Sequence, residues 1–280
     1  MMTLGVRAHD FGRHSVTELP KIIKAAGFDS VQLAPAKAII GVDSIADITP
    51  QLMDDIANSF AKNNLAIHIL GCYIEPSLPD IANRLANVEA FKQNLTYAKQ
   101  AGITYVGTET THLNPYTTTD EQRLIAYNRL LDSTQRMIEH AEAVGVQVAL
   151  EPVAEHTLNT PQLAHQLVST LKSDKLSMIF DPVNLILPTT YQHQNQIYTD
   201  FFDLLGDRLC VLHAKDTTFS GNTTQDEKIW ANIGQGVVNY DHIMAYLQDK
   251  HPNLTILREV AHRDSYSQDL AKLQQLAGLN

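Results

Sequence analysis

Val144-Gly145-Val146-Gln147-Val148-Ala149-Leu150-Glu151-Pro152 carries the end of one predicted helix through a glycine into a short strand, and sets an acid at the far end of that strand. Glycine just past the last helical residue is a common stop, because it takes the left-handed conformation without a side-chain clash. The run Val146–Leu150 is apolar almost throughout, as strands covered on both faces are. The same unit recurs on either side of it: Ala26-Gly27 precedes Ser30–Leu33, and Ala101-Gly102 precedes Thr104–Gly107. The remaining predicted strands are Thr3–Arg7, Ala66–Leu70, Leu176–Phe180, Leu209–Leu212 and Thr255–Leu257, which makes eight.

Segments with apolar residues at helical spacing lie between these strands. Ser15 with Glu18 and Thr119 with Gln122 have capping-box spacing. Thr49-Pro50 and Thr160-Pro161 place a cap before proline at the first helical position. No linker or low-complexity stretch interrupts the series, so residues 1–280 are expected to form one domain. Eight β/α units without a break predict an α/β chain folded as a single (β/α)₈ barrel. A doubly wound dinucleotide fold would put a glycine-rich turn after strand one, where this chain has Arg7-Ala8-His9-Asp10-Phe11-Gly12.

With 21 basic and 31 acidic residues the formal net charge is −10, which argues against a protein whose affinity comes from neutralising nucleic-acid phosphates. Cys72 and Cys210, the two cysteines, sit in apolar strand-like surroundings and need no disulfide framework. No run approaches the length of a membrane span. The expected setting is the cytoplasm, with no membrane partner. The exposed helices of such a barrel support a homodimer or homotetramer.

Barrel enzymes build their sites from the C-terminal ends of strands. Strand five ends in Glu151, strand six in Asp181, strand seven in His213 and strand eight in Arg258-Glu259. Four adjacent strands thus end in oxygen or imidazole donors, a set suited to one divalent ion of the Mn, Mg, Co or Zn group.

Over nearly its whole length the chain resembles the xylose isomerase-like barrel superfamily, and within it the sugar phosphate isomerase/epimerase and ketose 3-epimerase group. The strings that carry the resemblance are Ala149-Leu150-Glu151-Pro152, Phe180-Asp181-Pro182-Val183-Asn184, Leu212-His213-Ala214-Lys215-Asp216, Ile233-Gly234-Gln235-Gly236-Val237 and Arg258-Glu259-Val260. The resemblance implies a single metal held by Glu151, Asp181, His213 and Glu259. It also implies that Glu151 and Glu259 serve as acid and base in proton transfer through a metal-stabilised enediolate of a sugar or sugar phosphate. An inosose-type dehydratase or isomerase on the same scaffold is one alternative, and a polyol- or metabolite-binding barrel without turnover is another.

The chain also departs from the family pattern. Many relatives carry histidine three residues after the strand-six aspartate, where this chain has Asn184, which hydrogen-bonds but does not shuttle protons near neutral pH. The related trinuclear-zinc endonucleases need that histidine and an Asp-x-His after strand seven. Here the nearest string is Asp226-Glu227-Lys228, and Glu109 stands near the end of strand four, so a nuclease is the least favoured reading.

Further candidates for substrate contact are Lys215, Asn184, His68, Glu109, Lys37 and Trp230. Strand parity turns Lys215 inward with His213, which makes it the favoured holder of a phosphate or carboxylate. Arg258 should face outward into an ion pair. Arg7, His9 and Lys37 could bind a hydroxyl or phosphate, but a solvated loop is the expected fate of each. Trp230, in the loop after strand seven, is equally suited to walling the pocket or to packing beneath that loop. His68 is equally suited to the mouth or to an interior hydrogen bond, and no spacing selects a role for His112, Glu155 or His156.

Overall fold

The computed structural model describes residues 1–260 and 265–279. In chain order the elements are β1 (Thr3–Arg7), α1 (Leu19–Ala25), β2 (Ser30–Leu33), α2 (Pro35–Ala38), α3 (Pro50–Lys62), β3 (Ala66–Gly71), α4 (Ile81–Gln100), β4 (Tyr105–Glu109), α5 (Asp120–Val144), β5 (Gln147–Glu151), α6 (Pro161–Leu171), β6 (Leu176–Phe180), α7 (Gln194–Leu205), β7 (Leu209–Ala214), β8 (Asp216–Phe219), β9 (Lys228–Ala231), α8 (Tyr240–Lys250), β10 (Thr255–Arg258) and α9 (Tyr266–Leu276). A 3₁₀ turn, Ala8–Phe11, directly follows β1.

Eight of the strands close into a barrel in the order β1-β10-β7-β6-β5-β4-β3-β2, each parallel to its neighbours. This is the (β/α)₈ architecture expected from the alternating pattern. Ile69, Ala149, Ile179, Val211 and Leu257 belong to one apolar cluster; coming from five different strands, they meet across the lumen and plug it. The larger apolar layer lies between strands and helices, with Val31, Val106, Val148 and Ile256 against helix residues such as Ile23, Phe91, Leu130 and Ile243.

Local chemistry sets the helix ends. Thr119 Oγ1 accepts the Gln122 N–H at 3.2 Å while Gln122 Oε1 accepts the Thr119 N–H at 2.9 Å, a reciprocal box that starts α5. Thr49 and Thr160 cap α3 and α6 through the N–H groups of Leu52 and Leu163. Gly145 ends α5 at φ 80, and its N–H returns to the Ala141 carbonyl. The Ser15 box differs from expectation. Ser15 Oγ accepts the Glu18 N–H, but the Glu18 carboxylate pairs with Lys21 instead of reaching back, and α1 starts only at Leu19.

The connection after β7 contains the antiparallel hairpin β8–β9, with Thr217 opposite Trp230 and Thr218 opposite Ile229. Such a short ribbon inside a connection leaves little periodicity to read. Asp216 ties its base, accepting N–H groups from Thr217, Gly234, Gly236 and Val238 at 2.8–3.1 Å. At Gly236 a Cβ would lie 2.1 Å from Asp216 Oδ1, so the clamp needs glycine there. Both cysteines are free and buried. No described helix is long and apolar enough to cross a membrane.

Candidate active site

A parallel barrel points all its strand C-termini one way, so the strand-end residues share one face. Glu151 closes β5, Asp181 follows β6, His213 lies within β7 and Glu259 follows β10. All four are buried, at 4%, 0%, 0% and 6% exposure, so they are not solvated loop residues. Glu151 Oε2 and Glu259 Oε1 approach the same nitrogen, His213 Nδ1, at 3.1 and 3.5 Å. Asp181 Oδ1 accepts the N–H groups of Val183 and Asn184 at 2.9 and 3.0 Å, leaving Oδ2 for the cavity. Among the described residues, Glu151, Asp181 and His213 offer ligand atoms that all lie within 4.8 Å of one another.

His213 is oriented from behind. Its Nε2 lies 2.8 Å from Gln32 Oε1, and Gln32 Nε2 donates to the Tyr73 hydroxyl at 2.9 Å. An amide oxygen only accepts, so Nε2 carries the hydrogen and Nδ1 faces the carboxylates, as in histidines that ligate metals. His213 Nδ1 and Asp181 Oδ2 are both buried without a well-aligned hydrogen bond. Oxygen and imidazole donors with no thiolate suit a divalent cation. The residues present therefore fit one.

In the protein without a metal, the same charges settle on protons and on Lys215. Burial disfavours the imidazolium of His213, but Glu259 and Glu151 outweigh it and push the group up to about 9. Burial would raise both glutamates. His213 overrides it at Glu151, and His213, Lys215 and Arg7 hold Glu259 well below the usual carboxylate range. Burial lifts Asp181 to about 6 against the pull of Lys215. Lys215 Nζ stands 2.6 Å from Asp181 Oδ2 and 3.4 Å from Glu259 Oε2. Inward, as parity predicts, its charge is already matched by two carboxylates. Asn184 Nδ2 donates to Glu151 Oε1 at 2.5 Å.

Other candidates gather around this centre. Glu109, the last residue of β4, pairs in register with Glu151, and burial followed by the Glu151 charge pushes it up to about 7. Its Oε2 is 3.7 Å from His156 Nε2, and His156 bridges to His112. Glu155 meets Lys228 of β9 at 3.5 Å, joining that loop to the hairpin. Trp230 is on β9, not in a loop; its ring centre is 5.7 Å from Lys215 Nζ, and it is 44% exposed. Lys37, on α2, places Nζ 3.6 Å above the Tyr73 ring.

His68 does not reach the mouth. It sits low on β3, its Nε2 3.1 Å from the Cys210 carbonyl and its Nδ1 3.3 Å from Thr255 Oγ1 at the start of β10. Arg7, expected in a solvated loop, is instead ion-paired to Asp10 at 2.7 Å and to Glu259 at 3.4 Å. Arg258 faces outward as parity requires, with Nε 2.7 Å from Asp269 Oδ2. The sequence reading did not find Gln32 or Tyr73. The only signal for Gln32 is an amide between Val31 and Leu33 in a buried strand.

The inosose isomerase of Bacillus licheniformis is 25% identical over 169 residues, covering 58% of this chain and 55% of that protein. The chain spans about half the length of the curated relatives it matches. A solved D-tagatose 3-epimerase-like protein has a TM-score of 0.78 at 15% identity, with 99% of this chain and 98% of that one covered. A structure of IOLI protein with a bound zinc atom has a TM-score of 0.76 at 17% identity, with 99% of each chain covered. Residues 20–276 match the model of the xylose isomerase-like TIM barrel family, and the chain belongs to that family.

Proposed function

We propose that this chain is a divalent-metal-dependent isomerase or epimerase of a small sugar, with Glu151 and Glu259 as the proton-transferring pair. The observation that carries the reading is the approach of these two buried carboxylates, from β5 and β10, to one imidazole nitrogen. The names of the relatives, an inosose isomerase and a 3-epimerase-like protein, agree with it.

Glu151, Asp181, His213 and Glu259 would hold the ion, which when bound supplies a Lewis acid for the carbonyl oxygen of a sugar. The chain's own groups divide the remaining work. One glutamate takes a proton from the carbon beside the carbonyl and the other returns one, giving epimerisation or aldose–ketose exchange. Asn184 fixes the orientation of Glu151 through its 2.5 Å hydrogen bond. Arg7 and Lys215 hold Glu259 ionised. Trp230, its ring centre 5.7 Å from Lys215 Nζ, would wall one side of the mouth.

The test begins with metal content per chain, before and after loading with Mn, Mg, Co and Zn. The loaded protein is then incubated with ketoses, their phosphates and inososes in deuterated water, and deuterium at the carbon beside the carbonyl is followed by NMR. About one ion per chain, with exchange that is lost in Glu151→Gln and Glu259→Gln, supports the proposal. Full activity in both variants would falsify the two-carboxylate mechanism. Exchange confined to inososes would select the inosose reading that the Bacillus relative favours.

A further inference from the structure

The mouth between β1 and β2 carries positive charge that the acidic centre does not consume. Lys215, the lysine that parity turns inward, is buried between Asp181 and Glu259. Arg7 is spent on Asp10 and Glu259. Lys37 differs from both. Its ammonium lies over the Tyr73 ring; among the described residues no carboxylate stands within ion-pair distance of it, and Glu109 and Glu259 act on it only from farther off. His9, in the turn directly after β1, has a buried Nδ1 without a hydrogen-bond partner. Helix α2, which carries Lys37, packs against the turn that carries His9; burial, then the charges of Arg7 and Lys37, push His9 down to about 4 against a smaller pull from Glu259.

A chain of contacts links Lys37 to the candidate metal site. From His213 Nε2 the path runs 2.8 Å to Gln32 Oε1, then 2.9 Å from Gln32 Nε2 to the Tyr73 hydroxyl, and ends at the ammonium 3.6 Å above the Tyr73 ring. The chain as a whole carries a net charge of −10, so an anion is drawn to this quadrant by local arrangement and not by the overall field.

We propose that Lys37 and His9 form a subsite for an anionic group of the substrate, a phosphate or a carboxylate. This deepens the isomerase reading and rests on it. Lys37 gives a point charge with three donors, and His9 Nδ1 gives a hydrogen bond once its tautomer adapts.

The test compares metal-loaded wild type, Lys37→Met, Lys37→Arg and His9→Leu on ketopentoses and ketohexoses, their terminal phosphates, and ketouronic acids. Wild type should favour one anionic series over the neutral sugars by about tenfold or more in kcat/KM. Lys37→Met should remove most of that preference through KM with little change in kcat, and Lys37→Arg should restore part of it. Phosphates and uronates separate the two sources of anion. Equal use of neutral and anionic sugars by wild type overturns the subsite and leaves the isomerase intact, as does a preference that Lys37→Met does not alter. If no sugar is turned over, the isomerase reading fails, and thermal unfolding with inorganic phosphate then reads the subsite alone. A rise in Tm that Lys37→Met and His9→Leu lose supports it, and a rise absent from wild type or equal in the variants overturns it.

Discussion

Gln32 Oε1 accepts a hydrogen bond from His213 Nε2 at 2.8 Å, across the lumen from β2 to β7. This contact fixes which imidazole nitrogen meets the carboxylates. Gln32→Leu should keep the fold and lower divalent-metal affinity by about 10- to 100-fold, the usual loss when such a supporting contact is removed. A chelator-competition titration measures it, and unchanged affinity would show that His213 needs no such support.

Asn184 donates to Glu151 Oε1. Removing a donor from a carboxylate raises its pKa, so Asn184→Ala should shift the acidic limb of the rate–pH profile upward. A kcat loss of about tenfold or more should accompany the shift, since misplaced acid–base groups forfeit part of their contribution. An unshifted limb would separate Asn184 from Glu151's proton.

In chelator, stability should depend on pH with two arms of opposite sign. His213 is raised from 6.5 to about 9, so its contribution is complete below about 6.5 and is lost as pH climbs through 9. Glu259 is depressed from 4.5, so its contribution is complete above about 4.5 and is lost as pH falls further. The Tm of the chelated protein should therefore drop by several degrees between about pH 6.5 and 9. His213→Gln should flatten that arm. A chelated Tm that is level across this interval would refute the assignment.

Arg258 and Asp269 are 1% and 3% exposed, and their ion pair joins β10 to α9. Removing one partner strands a buried charge, so Arg258→Met and Asp269→Leu should each cost about 3–5 kcal/mol, while the double variant recovers much of the loss. Urea unfolding of all three gives the coupling directly.

Gly236→Ala would drive a methyl group into Asp216 Oδ1 and the Thr217 carbonyl, at 2.1 and 2.3 Å. The expected result is a displaced hairpin with the barrel retained: unchanged far-ultraviolet circular dichroism and a kcat/KM reduced by about tenfold or more. Equal activity would remove the hairpin from the working site.

The barrel and its strand-end donors were legible because each is written locally. A glycine stop, an apolar run and an acid at its end place Glu151 without reference to any other part of the chain. Lys215 followed from parity with His213, but its neutralisation by Asp181 and Glu259 did not, since that depends on how three strands converge. Of the two roles open to His68 the interior hydrogen bond is the one formed, because His68 lies in the first half of β3, and the residue of this segment that reaches the centre is Tyr73. Gln32 and Arg7 draw their roles from partners 181 and 252 positions away, a separation no local pattern encodes.

The Asp216 carboxylate gathers four backbone N–H groups at the foot of β8–β9, while the turn beyond Phe219 is held by the separate Asp226 knot with Ser220 and Thr223. The ribbon is thus fastened independently at root and crown. Lengthening its crown costs little in loop closure and leaves Lys215, one residue before the root, where it is. The hairpin is consequently an exchangeable part: its tip can be grafted or diversified while the buried carboxylates and imidazole beneath it stay in register.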